Sequence, residues 1–495
     1  MVVWGITALS HDAAITVIKD QEILFGAHAE RYSRVKNDFF LNDEIVNEAM
    51  AFGYPDKIVW YEKPWLKKTR QAYAGQWKSV FNKNDLPSIY MKKFFSGKFG
   101  NTLPPITYAL HHQSHAAAGA YTSPYNKACV VVLDAIGEWN TCTIWKFENN
   151  NLKLISESKY PHSFGLLYSA FTQRCGLKPN EEEYIMMGMA AYGKPIYKDI
   201  IYNNFIQSIC PLRLKQNVHA GLGDYLPNAK IEDLSASIQS IADEIIEQYV
   251  KRAIVLTGTS NVIYQGGVAL NCVSNTNLLK HTKDLWIMPN PGDAGNSLGA
   301  AALVNKQKLN WQSPYLGTDI KGTYPINKII KELETNKICG VANGRAEFGP
   351  RALGNRSLLA DPRGGDIKDK VNEIKRRQKF RPFAPAILRE HLHTYFDLDT
   401  YESPYMQFVC NAKPETVEKF PAIVHYDNTA RVQTVGKDDN TGFRELLEKW
   451  YEKTGCPILL NTSLNIRGEP LVNNESQAKD FEEKYNIKVY TKEEN

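Results

Sequence analysis

One pattern of apolar segments and polar turns occurs twice in the first third of the chain. In the first copy, apolar segments at residues 2–6 and 14–18 flank the turn Ser10-His11-Asp12, and a third begins at Ile23. In the second copy, residues 128–133 lead to Asp134 and are followed by apolar segments at 141–147 and 152–156. Two three-strand ribbons, each with an acidic residue in its first turn, predict a duplicated fold whose halves face each other over a cleft.

Such a duplication resembles the actin, sugar kinase and Hsp70 superfamily. Residues 233–257 show the three- and four-residue apolar spacing of a helix. Near 308–325 glycine, proline and serine become frequent, and a predicted helix (326–334) and strand (338–342) then open a second α/β unit. We therefore predict an α/β protein with an actin-like domain at residues 1–312 and a smaller α/β domain at 313–495.

Composition is ordinary for a globular protein and excludes several classes. The 495 residues exceed what one core supports. The apolar start is expected to be a strand and not a signal peptide, and no segment is long enough to span a bilayer. Eight cysteines without a Cys-x-x-Cys pair predict buried reduced thiols and a cytoplasmic protein. A net charge of +5 is below the strongly basic balance of an obvious nucleic-acid binder and leaves the acceptor open.

A candidate metal site is spread over three segments. His111 and His115 are four residues apart and precede an alanine run, so both side chains lie on one face of a predicted helix. Asp134 at a strand end and Asp293 in a Gly-rich turn can add oxygen ligands. Two histidines with two aspartates suit Fe(II), Mn(II) or Zn(II), and the sequence does not choose among them.

Glycine and arginine segments indicate phosphate-bearing ligands. Gly266 and Gly267 follow a predicted strand, where the backbone can closely approach phosphate or adenine. Residues 344–363 and the cations that follow them combine arginine with glycine and proline, which does not fit a solvated helix face. Because guanidinium groups bind phosphate in a bidentate fashion, we predict a phosphate-rich substrate site there, with one or two arginines in structural pairs.

Several ordered strings resemble the O-carbamoyltransferases of antibiotic and nodulation-factor biosynthesis over nearly the whole chain. The resemblance implies that the first domain is similar to the enzyme making threonylcarbamoyl-adenosine in tRNA, and the second to threonylcarbamoyl-adenylate synthase. The strings are Ser10-His11-Asp12-Ala13-Ala14, Glu30-Arg31-Tyr32-Ser33-Arg34, His111-His112-x-x-His115, residues 161–168, residues 266–271, residues 347–354, Asn461-Thr462-Ser463 and Gly468-Glu469-Pro470.

The resemblance also implies the ligands and their residues. It gives a divalent metal at His111, His115, Asp134 and Asp293, and adenylate contacts at Gly266, Gly267, Val268 and Asn271. It gives a pocket for carbamoyl phosphate and ATP, with Mg²⁺ accompanying the ATP, at Arg345, Arg351, Lys375, Arg377, Arg381, Arg431, Ser463 and Asn465. Two positions depart from the family pattern: Ile185 stands where lysine is frequent, and Gln378 where glutamate is common.

The implied reaction makes carbamoyl-adenylate from carbamoyl phosphate and ATP in the second domain and consumes it in the first. There a hydroxyl of the acceptor attacks, with His11 or Asp12 as the candidate general base. An actin-superfamily sugar kinase is an alternative, but it would not need the arginine-rich second domain. An ATP-gated scaffold without enzymatic activity is a further alternative, and it predicts no use of carbamoyl phosphate.

The sequence leaves the oligomeric state open and supports two hypotheses for the acceptor. One is a small hydroxylated metabolite. The other is a hydroxymethylated pyrimidine in DNA, which needs cations for phosphate and aromatic rings for stacking. The candidate track carries one acid, Asp85, with the cations Lys67, Lys68, Arg70, Lys78, Lys83, Lys92, Lys93 and Lys98 and the aromatic residues Tyr73, Trp77, Phe81, Tyr90, Phe94, Phe95 and Phe99.

Overall fold

A computed structural model describes residues 1–96 and 102–493, and the chain divides into two compact units. Unit 1 comprises Met1–Ala29 and Asn37–Gln312, and unit 2 comprises Glu30–Lys36 and Ser313–Asn495. The short helix α1 (Glu30–Ser33) therefore groups with unit 2, although the chain on both sides of it belongs to unit 1. Among the described residues, no helix is long and apolar enough to cross a membrane.

Unit 1 contains two five-stranded sheets with the same topology. Their orders are β3-β2-β1-β4-β5 and β8-β7-β6-β11-β12. In each, the first three strands form an antiparallel ribbon and the last two add in parallel, which confirms the predicted duplication. The strands are β1 (Val2–Thr7), β2 (Ala14–Lys19), β3 (Glu22–His28), β4 (Lys57–Trp60), β5 (Ile106–Tyr108), β6 (Lys127–Leu133), β7 (Asn140–Glu148), β8 (Asn151–Lys159), β9 (Ile206–Ser208), β10 (Arg213–Leu214), β11 (Asn261–Gln265) and β12 (Asp284–Trp286).

The helices of unit 1 fill the crossovers between these strands. The longest, α10, contains the helix predicted from apolar spacing at 233–257. The helices are α2 (Asp43–Ala51), α3 (Pro64–Tyr73), α4 (Trp77–Phe81), α5 (Pro87–Phe95), α6 (His111–Thr122), α7 (Phe164–Arg174), α8 (Glu183–Met189), α9 (Lys198–Phe205), α10 (Ile231–Thr257), α11 (Cys272–Leu278) and α12 (Asn296–Asn305).

Two helices of small residues, α6 and α12, pack directly against each other at the centre of unit 1. A Cβ atom on Gly299 of α12 would lie 1.8 Å from the carbonyl oxygen of Ser114 in α6. On the other side of α12, a Cβ atom on Gly5 of β1 would lie 1.7 Å from the carbonyl oxygen of Ser297. Only glycine permits these approaches, since any side chain would overlap backbone atoms. The packing sets the first turn of α6 beside the loop that precedes α12.

Unit 2 is built on a six-stranded mixed sheet of order β21-β17-β22-β16-β14-β23. Its strands are β13 (Tyr315–Ile320), β14 (Ile338–Ala342), β15 (Gly344–Glu347), β16 (Arg356–Ala360), β17 (Ala384–Leu388), β18 (Phe396–Asp397), β19 (Val409–Ala412), β20 (Thr429–Arg431), β21 (Gln433–Val435), β22 (Ile458–Ser463) and β23 (Val489–Tyr490). Its remaining helices are α13 (Ile326–Asn336), α14 (Ile367–Ile374), α15 (Leu392–Tyr395), α16 (Pro414–Lys419), α17 (Thr441–Thr454) and α18 (Glu475–Tyr485). Apolar residues of α13 and α17, including Leu333 and Trp450, form one buried core with the sheet.

Arg356 is a structural arginine of unit 2 and shows how the arginine-rich segment folds. The residue is fully buried, and its guanidinium group donates only to backbone carbonyl oxygens among its described hydrogen bonds. The acceptors belong to Thr318, Asn343, Gly344, Asn355 and Asn473. Such a fork of donors joins several backbone carbonyl oxygens through one side chain.

Two details differ from what the sequence suggests. Residues 308–325, interpreted as a boundary segment, contain the strand β13, which pairs with β15. Seven of the eight cysteines are buried free thiols, but Cys210 is only half-buried.

We expect Gly299→Ala to lower the midpoint temperature of thermal unfolding, because the added methyl group overlaps Ser114. Overpacking of this kind costs about 1–3 kcal/mol. Gly188→Ala is the matched control, since Gly188 lies in α8 and its Cβ position is open space, with no packed atom within 4 Å. A helical Gly→Ala change in open space should be neutral or stabilising. Equal melting temperatures for both variants in calorimetry would contradict the packing argument.

Candidate functional site

Four side chains of unit 1 converge on one point. His111 and His115 come from the first turn and a half of α6, Asp134 follows β6, and Asp293 precedes α12. Their ligand-type atoms all lie within 4.8 Å of one another, and all four residues are buried. The structure thus brings together the complete set that the sequence predicted as metal ligands.

The atoms that face one another are nitrogens and carboxylate oxygens. The two imidazole Nε2 atoms are 3.1 Å apart, and His111 Nε2 lies 3.2 Å from Asp134 Oδ2 and 3.3 Å from Asp293 Oδ1. His115 Nε2 lies 3.3 Å from the same Asp293 oxygen. Two imidazole nitrogens and two carboxylates directed at one point are the donor set of a divalent transition metal or zinc.

The charges of the cluster also favour a bound cation. Burial favours neutral imidazoles, but the two carboxylates outweigh it and raise the pKa of His111 and of His115. Burial likewise favours neutral acids, but the histidines hold the pKa of Asp134 and of Asp293 below its usual range. The ionised aspartates therefore favour positive charge at this buried cluster, either as imidazole protons or as a metal ion that replaces them, and the four residues fit a metal ion.

Hydrogen bonds next to the cluster position His111 and Asp134, and each involves a backbone N–H group. Glu138 accepts hydrogen bonds from the His111 backbone N–H with both carboxylate oxygens at 3.1 Å, so it caps the start of α6. The Gly267 N–H donates to Asp134 Oδ1 at 2.9 Å, which leaves Oδ2 directed at the histidines. Partners of this kind fix the orientation of metal ligands.

The glycine pair after β11 has a steric role beside this cluster. Gly266 has φ of 95°, and a Cβ atom there would lie 2.1 Å from the carbonyl oxygen of Leu133. The backbone can therefore pass directly over the end of β6, where Asp134 begins. Val268 follows in the same short turn and is half-buried.

Asn271, which the resemblance assigns to the adenylate, is engaged within the protein. Its Oδ1 accepts from the Ser274 N–H and from Gln239, and its Nδ2 donates to Gln239 Oε1 at 3.0 Å. The side chain thus caps the start of α11 and ties it to α10.

His11 and Asp12 lie at the edge of the cluster. His11 Nε2 is 3.7 Å from Asp293 Oδ2, and its Nδ1 is 3.0 Å from Asp12 Oδ2. Burial lowers the pKa of His11, but Asp293 and Asp12 outweigh this effect and raise it to about 10. Leu9 and Asp12 both have positive φ values, of 65° and 62°, so the turn holds a backbone conformation that leucine rarely adopts.

His112, between the two ligands, does not belong to the cluster. Its Nδ1 lies 3.0 Å from Thr143 Oγ1. Burial, together with the charge of His111, lowers the pKa of His112 to about 3, so this imidazole stays neutral.

A second cluster lies in unit 2 and is cationic. The buried Lys375 donates from Nζ to the Ser463 carbonyl oxygen and to Ser463 Oγ at 3.0 Å and Asn465 Oδ1 at 2.8 Å. Burial and the charges of Arg377 and Arg381 hold the pKa of Lys375 well below its usual value. In the part of the chain that the structure describes, no carboxylate lies within ion-pair distance of Lys375.

The other predicted arginines occupy different environments. Arg345 donates to the backbone carbonyl oxygens of Leu316 and Gly317, which is a structural contact like those of Arg356. Arg351 is half-buried in the turn between β15 and β16. Arg431 lies on β20, in a separate three-stranded sheet, and its Nε atom is buried without a hydrogen-bond partner among the described residues.

Glu138 is the site residue that the sequence did not reveal. It lies in the turn after Asp134, where an acid is common and usually solvated, yet here only 4% of its surface is exposed. The sequence signal that could have identified Glu138 is an acidic residue shortly after Asp134, which ends a strand. Its partner, the N–H at the start of α6, is 27 residues away in sequence and could not be identified from spacing.

Comparison with known proteins supports one family. The chain matches the carbamoyltransferase N-terminus over residues 2–302 and the carbamoyltransferase C-terminus over 330–494. It is 34% identical to the uncharacterized protein sll1178 of Synechocystis, over 94% of this chain and 92% of that protein. It is 27% identical to the 3'-hydroxymethylcephem-O-carbamoyltransferase of Amycolatopsis lactamdurans, over 94% of this chain and 93% of that protein.

A nodulation protein, NolNO of Sinorhizobium fredii, is also 27% identical, over 94% of this chain and 76% of that protein. Among solved structures, full-length HypF in its phosphate- and nucleotide-bound form is 12% identical and covers 62% of this chain and 55% of that chain, with a TM-score of 0.35. Because the N-terminal match alone spans more than half of the residues, the chain belongs to the carbamoyltransferase family.

Proposed function

We propose that this carbamoyltransferase makes carbamoyl-adenylate in unit 2 and transfers the carbamoyl group to an acceptor hydroxyl in unit 1. Water and carbamoyl phosphate first give carbamate and inorganic phosphate. A carbamate oxygen then attacks the α-phosphorus of ATP, which forms carbamoyl-adenylate and releases pyrophosphate. Finally the acceptor oxygen attacks the carbamoyl carbon, AMP leaves with the electrons of the broken C–O bond, and a base takes the hydroxyl proton.

The environment of Lys375 is the observation that carries this proposal. A buried lysine with two arginine charges nearby and no carboxylate partner among the described residues is unfavourable unless an anion completes the site. Phosphates and carbamate are such anions, and Ser463 and Asn465 add a hydroxyl and an amide beside the lysine. Arg377 is held above the Phe383 ring at 4.0 Å, so its direction is fixed.

In unit 1, His111, His115, Asp134 and Asp293 would hold the metal. When bound, a divalent cation there supplies Lewis-acid chemistry that polarises a carbamoyl or phosphoryl oxygen. Asp12 is the base in this proposal, because the raised pKa of His11 keeps that imidazole protonated, and His11 Nδ1–H donates to Asp12 Oδ2 and orients the carboxylate.

The structure bears on the choice between the two acceptor hypotheses. Two cations of the candidate DNA track already have partners, since Lys67 pairs with Glu62 at 2.7 Å and Lys68 donates to three backbone carbonyl oxygens. Arg70 is buried, and the lysines that remain exposed are Lys78, Lys83, Lys92 and Lys93. Three of its aromatic residues, Tyr90, Phe94 and Phe95, belong to the core. Lys98 and Phe99 lie outside the described residues. The proposal therefore takes a small hydroxylated molecule as the acceptor.

The metal assignment predicts the effect of removing one ligand. We expect His111→Ala and His115→Ala to lose the bound metal and to slow transfer by about 100-fold or more, because a Lewis acid contributes several kcal/mol. Metal content would be measured by mass spectrometry after loading with Fe(II), Mn(II) or Zn(II). His112→Asn is the matched control and should keep the metal. Transfer at the parental rate by the doubly substituted protein would refute the assignment.

The two-site scheme predicts that the half-reactions separate. We expect Lys375→Gln, Arg431→Ala and Ser463→Ala to abolish pyrophosphate release that depends on carbamoyl phosphate, but to leave transfer from supplied carbamoyl-adenylate largely intact. Arg376→Ala serves as control, because this exposed neighbour of Lys375 faces the Tyr485 ring instead. A sugar kinase or a scaffold would show no carbamoyl-phosphate dependence at all, and simultaneous loss of both half-reactions would argue against two sites.

The acceptor choice predicts weak and non-productive contact with DNA. We expect no carbamoylation of hydroxymethylated DNA and only a modest change in DNA binding between low and moderate salt, since Lys67 and Lys68 are engaged within the protein and Arg70 is buried. Binding can be measured by fluorescence anisotropy across a salt series. Tight, salt-sensitive binding that weakens when Lys78, Lys83 and Lys92 are neutralised would instead favour the DNA hypothesis.

A further inference from the structure

The loop at residues 464–472 folds onto Lys375 in unit 2. The two ends of this 464–472 loop are joined by a hydrogen bond from the Val472 N–H to the Leu464 carbonyl oxygen at 3.0 Å. Near its tip, the Arg467 N–H donates to the backbone carbonyl oxygen of Lys375 at 3.1 Å. The loop is therefore closed at its base and attached to the residue at the centre of the cationic cluster.

Asn465 connects the 464–472 loop to the Lys375 ammonium group. Its Oδ1 atom accepts from Lys375 Nζ at 2.8 Å and from Ser463 Oγ at 2.6 Å. Its Nδ2 atom donates to the Glu469 carbonyl oxygen, within the same loop, at 2.6 Å. Because the donor and the acceptor of an amide point in different directions, the contact with Glu469 fixes where Oδ1 faces. The position of residue 469 thus determines how Asn465 holds the lysine.

An arginine from the beginning of the chain holds the other side of the loop. Arg34 Nη2 donates to the Pro470 carbonyl oxygen at 2.8 Å, and Arg34 Nη1 donates to the Leu471 carbonyl oxygen. The Nη1 atom also donates to Gln477 Oε1, on α18, at 3.1 Å. One guanidinium group therefore ties the two residues that follow Glu469 to a helix of unit 2.

The backbone of Arg34 is held in an unusual conformation. Its φ is 59°, in the left-handed region that arginine rarely adopts. The Arg34 N–H donates to the Glu30 carbonyl oxygen at 3.0 Å, which closes the turn after α1. Backbone strain of this kind persists where surrounding contacts over-determine it, and it is concentrated at functional sites. The three side-chain hydrogen bonds of Arg34 are such contacts, so the strain supports a positioning role.

We infer that Arg34 is a positioning residue for the anion site at Lys375. Its guanidinium group fixes the carbonyl oxygens of the 464–472 loop, and the loop fixes Asn465 against the ammonium group. Arg34 itself does not touch the substrate. The inference rests on the proposed function, because the site that Arg34 supports is the one proposed to bind carbamoyl phosphate. An ammonium group that is already held in place loses less freedom when an anion binds, so removal of Arg34 should weaken anion binding.

The test measures binding of inorganic phosphate to the full-length protein by isothermal titration calorimetry, with Lys375→Gln as the baseline for phosphate bound elsewhere. We expect Arg34→Ala to weaken the Lys375-dependent binding about 10-fold, similar to the loss of one hydrogen bond to a charged group. The KM for carbamoyl phosphate in pyrophosphate release should rise by the same factor, with a smaller change in kcat. Arg34→Lys should recover part of the loss, because an ammonium group can still donate to both carbonyl oxygens.

A double-mutant cycle separates positioning from a general loss of stability. If Arg34 acts through Asn465, the combination of Arg34→Ala with Asn465→Ala should bind phosphate no more weakly than Asn465→Ala alone. Arg444→Ala is the matched control, because Arg444 is a buried arginine of unit 2 that donates to the Val435 carbonyl oxygen at 2.8 Å and pairs with Glu390. It should lower the melting temperature without changing phosphate affinity.

Unchanged phosphate affinity in Arg34→Ala, additive losses in the cycle, or the absence of Lys375-dependent binding overturns the inference. Arg34→Gln, which keeps a shorter neutral donor, provides the same comparison if the alanine variant does not fold. Pyrophosphate release that depends on carbamoyl phosphate is measured in the same proteins. If the parent protein lacks it while the phosphate results hold, the proposed reaction is refuted and Arg34 remains the positioning residue of an anion site.

Discussion

The contact between α6 and α12 fixes the geometry on which the candidate metal centre depends. Both helices follow the last strand of a duplicated sheet, and they meet where Gly299 touches the backbone of Ser114. His111 and His115 lie on one helix, and Asp293 immediately precedes the other. Because the separation of the two helices is set by backbone contact and not by adjustable side chains, the imidazoles and the carboxylate meet within hydrogen-bond range.

Each unit holds a cluster of buried ionisable groups, and the two clusters favour ligands of opposite charge. In unit 1, two buried carboxylates raise the pKa of the imidazoles that face them, so the cluster attracts a cation. In unit 2, burial and neighbouring arginines lower the pKa of Lys375, so that cluster attracts an anion. Buried groups of this kind reduce stability unless a ligand completes them, and they persist in folded proteins mainly where binding or catalysis requires them.

Local patterns in the sequence predicted both antiparallel ribbons and the four residues of one cluster. The alternation of apolar segments predicted both antiparallel ribbons. The residues His111, His115, Asp134 and Asp293 were predicted as one site because their sequence neighbours are distinctive: an alanine run after the histidines, a strand before Asp134 and a Gly-rich turn around Asp293. The partners of Arg345 and Arg356 could not be predicted, since they are backbone carbonyl oxygens, which have no sequence signature. The assignment of Glu30–Lys36 to unit 2 could not be predicted for the same reason.

The contacts of Glu30–Lys36 show a structural role that the sequence motif alone does not indicate. Arg34 donates to the backbone carbonyl oxygens of Pro470 and Leu471, and Gln477 donates to the carbonyl oxygen of Arg31. The string Glu30-Arg31-Tyr32-Ser33-Arg34 resembles a family motif, and its charged residues are as compatible with ligand binding as with structure. The backbone acceptors of Arg34 lie 437 and 436 residues away in sequence, and the acceptor of Arg31, Gly349, lies 318 residues away. Long-range backbone acceptors, rather than unusual local propensity, therefore explain why this charged string folds as part of unit 2.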